Sequence, residues 1–366
     1  MKKYLLVSPV PPPFHGQTYA VKLLLEQFPQ EGVEIVHLDT RFGSDLTGLQ
    51  KASWRKIYLL LRYLFQLLLL RFRHRFDGVI LTPSFYGIPF LKDSIFAWAA
   101  RLFFFRRIIG WLHMDFRSLD YESLGSLRKA YVRQTLRLFD HFVCVAPKLV
   151  ERMPDFLARE KISVVLNGVP PFPDSERTRG NDGRLRAVYY SDFSPAKGWD
   201  VCLEAARRVV QEVEGIEFLF FGRLSGDSSK AEIDSAFEEA GDPKRIRFGG
   251  EMELGKKPET LRAADVFCFP SLNEACPLTV IESMAAGLPI IASDVGGVAD
   301  LLVDGDGGKL VKAGSADELT EALLEFVRKD ARERKAMGEF NLRRFEEIFT
   351  DEAYGRRWAE FLRGLP

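Results

Sequence analysis

The 366-residue chain reads as an α/β protein of two doubly wound domains, each built on a parallel sheet. Three observations predict this. Apolar runs of strand length alternate with helically spaced stretches in both halves. A segment rich in Pro, Gly and charge, 171–183, interrupts that alternation near the middle. The length suits roughly two domains, each able to bury its own core. The expected division is a first domain over 1–170, a linker over 171–183, a second domain over 184–350 and a final helix over 351–366.

Net charge is zero, but the average hides a split. Residues 1–170 carry 24 Lys+Arg against 14 Asp+Glu, so of the totals of 51 and 51 the remainder holds 27 against 37. The first half is therefore basic by 10 and the second acidic by 10. Such a split suggests that the first half meets something anionic and that the halves attract each other across a cleft. The four cysteines are widely spaced without a C-x-x-C pair, which points to a reducing compartment and to buried small hydrophobes. The five histidines show no metal-ligand spacing.

In the first half, strands are expected near Tyr4–Ser8, Glu34–Leu38, Gly78–Thr82, Ile108–His113 and His141–Val145. The opening Met1-Lys-Lys is followed by an apolar run too short for a signal peptide and broken at Ser8-Pro9, so it is read as the first strand. Trp54 to Arg75 is very apolar with basic ends, but its core is shorter than the roughly 18 to 20 residues of a membrane span and contains Arg62. Two readings stand. The preferred one is a helix buried on the sheet, with Ile95–Phe105 as its companion. The other is a helix lying on an anionic membrane surface through Arg55, Lys56, Arg71, Arg73 and Arg75.

In the second half, strands are expected near Ala187–Ser191, Glu217–Gly222, Ile246–Gly249, Val266–Pro270, Ile290–Ser293 and Gly308–Val311. The most informative stretch is Ser271–Pro289. Glu274 falls in the loop after an aromatic strand, and a helix opens near Pro277, where a missing N–H costs nothing. Leu278, Ile281 and Ala285 form its buried stripe, Thr279, Glu282, Ser283 and Ala286 take the opposite, exposed side, and Gly287 ends it. The N–H groups of Leu278, Thr279 and Val280 suit phosphate. Carboxylates beside them suit sugar hydroxyls, which donate hydrogen bonds. A pair of solvated surface charges is the plain alternative at this spacing; the Pro, Gly and strand context favours binding.

Glu274, Pro277, Glu282, Ala285, Gly287 and Pro289 together resemble the E-x7-E signature of the GT4-type retaining glycosyltransferases. That resemblance implies GT-B architecture, in which two Rossmann-like domains face each other across a cleft. It implies that Glu274 lies against the donor sugar, that Glu282 holds the ribose hydroxyls and that the helix start cradles the diphosphate. It extends along the chain. Gly16, in Pro11–Thr18, would let backbone approach the donor phosphates, and His113, in Trp111–Asp115, would face the donor sugar, with Asp115 toward the acceptor. Lys197 in Tyr190–Gly198 would neutralise the leaving diphosphate. Asp192 stands where the family usually has Arg, and Arg223 could supply the missing charge from the next loop. Arg247–Glu251 resembles the loop that brackets the base, and Gly296 and Gly297 would pass near the nucleotide. In related enzymes the final helix crosses back to the first domain.

The activity implied is sugar transfer from a nucleotide diphosphate sugar to a hydroxyl acceptor, lipid-linked or glycan, in cell-surface polysaccharide or glycolipid synthesis. His113 and Glu274 would be the catalytic residues. The donor is a substrate, so no cofactor, no metal and no nucleic acid are expected, and the location implied is the cytoplasm, peripheral at the inner face of the membrane. Three alternatives remain: a non-catalytic nucleotide-sugar-binding subunit, prompted by Asp192; a phosphorylase-like enzyme of the same architecture; and a membrane adaptor.

Overall fold

The apolar runs become short parallel strands, most of them buried on both faces, as crossover helices on each side of a sheet require. The computed structural model describes residues 1–30, 32–42, 54–85, 87–103, 105–173, 183–225 and 228–366. Most of the expected linker, 174–182, lies outside them. Within the described residues the chain divides into two compact units, 1–168 with 351–366, and 169–350.

The first unit runs β1 (Lys2–Ser8), α1 (Gly16–Glu26), β2 (Val33–Asp39), α2 (Trp54–Arg73), β3 (Gly78–Leu81), α3 (Gly87–Leu102), β4 (Ile108–Leu112), α4 (Ser126–Leu136), β5 (His141–Cys144), α5 (Pro147–Glu151) and β6 (Ile162–Val164). Its sheet has the order β2-β1-β3-β4-β5-β6, every pair parallel. The second unit runs β7 (Leu185–Tyr190), α6 (Trp199–Glu212), β8 (Ile216–Phe221), α7 (Lys230–Glu239), β9 (Ile246–Phe248), α8 (Lys257–Arg262), β10 (Val266–Phe269), α9 (Leu278–Ala285), β11 (Ile290–Ser293), α10 (Val298–Leu301), β12 (Gly308–Val311), α11 (Ala316–Arg328) and α12 (Ala331–Arg344). Its sheet, also parallel, has the order β12-β11-β10-β7-β8-β9. Both units are Rossmann-like, the fold class expected. Each sheet reverses its winding once, between β1 and β3 in the first and between β7 and β10 in the second. Ligands of such sheets gather at the carboxyl ends of the strands flanking that switch point.

The last helix, α13 (Asp351–Gly364), belongs to the first unit and packs against α1. Asp351 and Glu352 in its first turn and Arg363 in its last complement the helix dipole. Tyr354, Trp358 and Leu362 on its inner face are fully buried. The Tyr4 hydroxyl donates to the Leu362 carbonyl at 2.9 Å, and the Trp358 ring meets Trp111 of β4 edge-on at 4.8 Å.

Two expectations fail here. β6 was not anticipated, because Ile162-Ser-Val164 is a three-residue edge strand with no fully buried side chain. The preferred reading of Trp54–Arg75 as a buried helix is also wrong. Only Tyr63 and Leu67 of α2 are buried, and its other face carries large apolar side chains into solvent. No helix among the described residues is long and apolar enough to cross a membrane.

Candidate active site

At the switch point of the second unit, the loops leaving β7 and β10 are tied together. The Leu272 amide donates to the Ala196 carbonyl at 2.9 Å, and the Ser271 hydroxyl lies 3.1 Å from the same oxygen. Gly198, at φ +65°, closes the first loop where any Cβ would stand 2.1 Å from the Pro270 carbonyl oxygen. On the far side, Gly296 lies so close to Glu274 that a Cβ would overlap its carbonyl oxygen at 1.5 Å, and the Gly297 amide donates to Ala275 at 3.0 Å. The clash explains Gly296 by backbone packing on the Glu274 loop, where Gly297 contributes its amide. The earlier reading, that the two pass near a nucleotide, is not needed for the presence of Gly296.

That packing fixes Glu274. Its Oε1 accepts from Lys197 Nζ at 2.6 Å and lies 2.9 Å from the Ser271 hydroxyl. Lys197 ends a short 3₁₀ turn, Pro195–Lys197, and its side chain remains 29% exposed, so the pair opens to solvent on one side. Sequence reasoning assigned the two residues to different parts of a donor. The structure brings them into direct contact.

α9 begins at Leu278 after Pro277, which provides no side-chain cap. The first N–H groups of a helix have no partner within it, and those of Leu278, Thr279 and Val280 stand at this helix's positive end. Leu278, Ile281 and Ala285 are buried, as the spacing predicted, and Val280 and Met284 are buried with them. Glu282 and Ser283 are buried as well, which corrects their placement on an exposed side. α9 is enclosed by α10, α12 and the turn 345–349, and Lys257 at the start of α8 reaches in to Glu282. Lys257 Nζ donates to Glu282 Oε1 at 2.8 Å, and both side chains are under 10% exposed. Burial pushes the Glu282 carboxyl above its ordinary value, and Lys257 opposes that shift. The ammonium also stands 5.1 Å from the centre of the Tyr190 ring at the end of β7. Lys257 escaped sequence reasoning, yet a signal existed. A lysine in the first turn of a helix faces the like-signed end of the dipole, so it calls for an acidic partner.

Asp192 does not face a would-be anion unopposed. Arg223 Nη2 donates to its Oδ2 at 2.9 Å, which answers the departure from the family pattern. Arg223, foreseen as a source of positive charge for the donor, is here paired with Asp192 and partly exposed. Arg247, placed in a base-bracketing loop, instead reaches Glu217 on β8 at 2.8 Å. All four cysteines are buried and none forms a disulfide.

In the first unit, two expected residues follow strands. Gly16 opens α1 behind the N-cap His15, and a Cβ there would meet no atom within 4 Å. His113 follows β4. Its ring lies 4.2 Å from that of Trp111, and its Nε2 is sealed from solvent without a hydrogen-bond partner. Burial, assisted by His15, pulls its pKa down to about 3, so the imidazole is neutral at pH 7. Asp115, two residues on, is clamped by Arg117 at 2.9 Å and Arg152 at 2.8 Å and caps the turn Phe116–Leu119. Burial alone would raise its pKa, but these donors hold it below the ordinary value. With its carboxylate so engaged, the acceptor contact suggested for Asp115 gives way to a structural role.

The fold defines the class: two Rossmann-like units of the kind found in GT-B glycosyltransferases. Sucrose-phosphate synthase from Thermosynechococcus elongatus superposes with a TM-score of 0.78 over 99% of this chain and 98% of its own, at 18% identity. Anabaena HepE in complex with UDP gives 0.74 over the whole of both chains at 14% identity. Within that class, residues 173–344 match the family described as Glycosyl transferases group 1. A phosphatidyl-myo-inositol mannosyltransferase of Mycobacterium leprae is 35% identical over 155 residues, 42% of this chain and 40% of that protein. A D-inositol 3-phosphate glycosyltransferase of Nocardia farcinica is 29% identical over 224 residues, 57% and 47% of the two chains. The matched stretches thus span less than half the length of these two relatives.

Proposed function

We propose that the protein is a GT4-type retaining glycosyltransferase that moves a sugar from a nucleotide diphosphate sugar to a hydroxyl of a glycan or lipid-linked acceptor. The observation that carries this reading is the pairing of Glu274 with Lys197 beside the start of α9, inside the segment that matches Glycosyl transferases group 1. In the free protein each charge neutralises the other. On donor binding, Lys197 and the Leu278–Val280 amides turn to the diphosphate, and Glu274 is released to accept hydrogen bonds from the sugar hydroxyls. Leaving-group charge is then met by an ammonium and a helix dipole, so the reaction proceeds without a metal. Glu282, held by Lys257, presents its second oxygen to the ribose. His113, neutral and with an uncommitted nitrogen, accepts or donates one hydrogen bond at the donor sugar, and Gly16 leaves room for phosphate. The names of the mannosyltransferase and inositol-phosphate relatives favour a role in glycolipid synthesis at the cytoplasmic side of a membrane. The pairing of Asp192 with Arg223 removes the reason for preferring a non-catalytic subunit.

Thermal-shift binding against a panel of nucleotide sugars, with and without chelator, tests the donor site. Stabilisation by at least one donor, unchanged by chelator, is expected. No stabilisation by any nucleotide sinks the reading, and stabilisation abolished by chelator removes the metal-free mechanism. The anomeric configuration of the first-formed product, read by NMR, decides retention.

A further inference from the structure

α2 is two-faced in an unusual sense. At 100° per residue, Tyr63 and Leu67 point to the sheet, while Trp54, Tyr58, Leu61, Phe65 and Phe72 share the opposite face and are all exposed, Trp54 by 87% and Phe72 by 80%. Beside that stripe, along one edge, run Arg55, Arg62 and Arg73, each exposed. The helix has no acidic residue. α3 repeats the pattern with Ile88, Leu91, Trp98 and Leu102 exposed along one side. The crossovers carrying α2, α3 and α4 all advance in the same direction along the sheet, so right-handed connection places all three on one face, where α3 packs against both neighbours. Their outward sides therefore form a continuous surface, and Leu127 and Tyr131 of α4 extend it. Soluble proteins rarely leave apolar area of this extent uncovered without a partner.

We propose that this face docks on an anionic lipid bilayer, with the aromatic and aliphatic stripes entering the headgroup region and the arginine row pairing with phosphate. Charge selects this occupant. A row of cations without a single carboxylate on α2 complements anionic headgroups, and Trp, Tyr and Phe on an apolar stripe suit the water–lipid boundary. The helix lies on the membrane and does not cross it. The proposal does not rest on the transferase reading, because vesicle binding is measured without donor or acceptor.

The test is co-sedimentation of the full chain with vesicles of phosphatidylcholine alone and of phosphatidylcholine mixed with phosphatidylglycerol. Binding to the mixed vesicles, weakened by salt, is expected. The triple variant Arg55→Gln, Arg62→Gln, Arg73→Gln should lose roughly 100-fold in affinity for the anionic vesicles, at about 1 kcal/mol per basic residue near the surface. Trp54→Ser with Phe65→Ser should weaken binding to the same vesicles, while circular dichroism and the melting midpoint stay as in the wild type. Absence of binding at low salt would overturn the proposal, as would either variant binding like the wild type. A concentration-dependent dimer broken by Phe65→Ser in light scattering would also overturn it, since the face would then join two copies of this chain.

Discussion

α2 and α6 are both crossover helices between parallel strands, and they treat their apolar residues in opposite ways. α6, with 14 residues, buries seven of them, among them Trp199, Leu203 and Val209. α2, with 20 residues and a richer run of Leu and aromatics, buries two. The contrast extends to the units that hold them. Among the described residues, Leu272 is the one large apolar side chain recorded as exposed in the second unit, whereas the first unit exposes such side chains on three successive helices. Apolar content alone therefore does not say where a helix packs. The second unit spends its hydrophobicity on its own core, and the first keeps a surplus on its outer helices.

The largest effect separating the two regimes is expected in the second unit. Lys257→Met leaves Glu282 buried and unpaired, which should cost about 3–5 kcal/mol, read as a lower urea midpoint for that unit. Adding Glu282→Leu should recover most of the loss; a single variant with less than about 1 kcal/mol of effect would show the pair to be solvated. Next, Lys197→Ala should lower kcat by roughly 10²–10³. Its partly exposed pair with Glu274 adds only about 0–1 kcal/mol to stability, so the melting midpoint should barely move. A variant with normal kcat would detach Lys197 from the chemistry.

The third expectation concerns His113 and pH. A histidine whose folded pKa is depressed contributes stability that is fully present above its unfolded value near 6.5 and is lost as pH falls toward about 3. The wild type should therefore lose stability relative to His113→Asn across that window. The His113 ring protons should show no titration by NMR between pH 8 and 5, and a midpoint near 6.5 would contradict the burial. The smallest effect sharpens the opening contrast. Phe65→Ser on α2 should change stability by no more than about 0.5 kcal/mol, while Leu203→Ala on α6 should cost about 2–5 kcal/mol, both by chemical denaturation. Equal losses would mean that the outer face of α2 is core.

Much of the architecture was legible because buried parallel strands are written as short unbroken apolar runs. Ile290–Ser293 came out at its observed ends for that reason. β6 was not legible, since an edge strand of three half-covered residues lacks such a run. At the candidate site, the loop position of Glu274 followed from the aromatic strand before it, and the start and end of α9 from Pro277 and Gly287, which punctuate local structure. The surroundings of Glu282 did not follow. Helical spacing separates a helix into faces, but whether the second face meets water depends on what packs there, and here the Lys257 side chain reaches Glu282 from 25 positions upstream. For α2 the error ran the other way: the expected companion, α3, does pack beside it, but among the described residues that contact leaves most of the apolar side chains of α2 uncovered.

The return of α13 to the first unit has a consequence for the order in which the protein can be made. The chain leaves that unit at Gly168 and re-enters it at Asp351. On the ribosome, Trp111 and Tyr4 therefore wait for Trp358 and Leu362 while the whole of the second unit emerges. The usual sequence, in which the first domain made is the first to finish, is reversed: the second unit can complete its fold while the first still lacks a wall of its core.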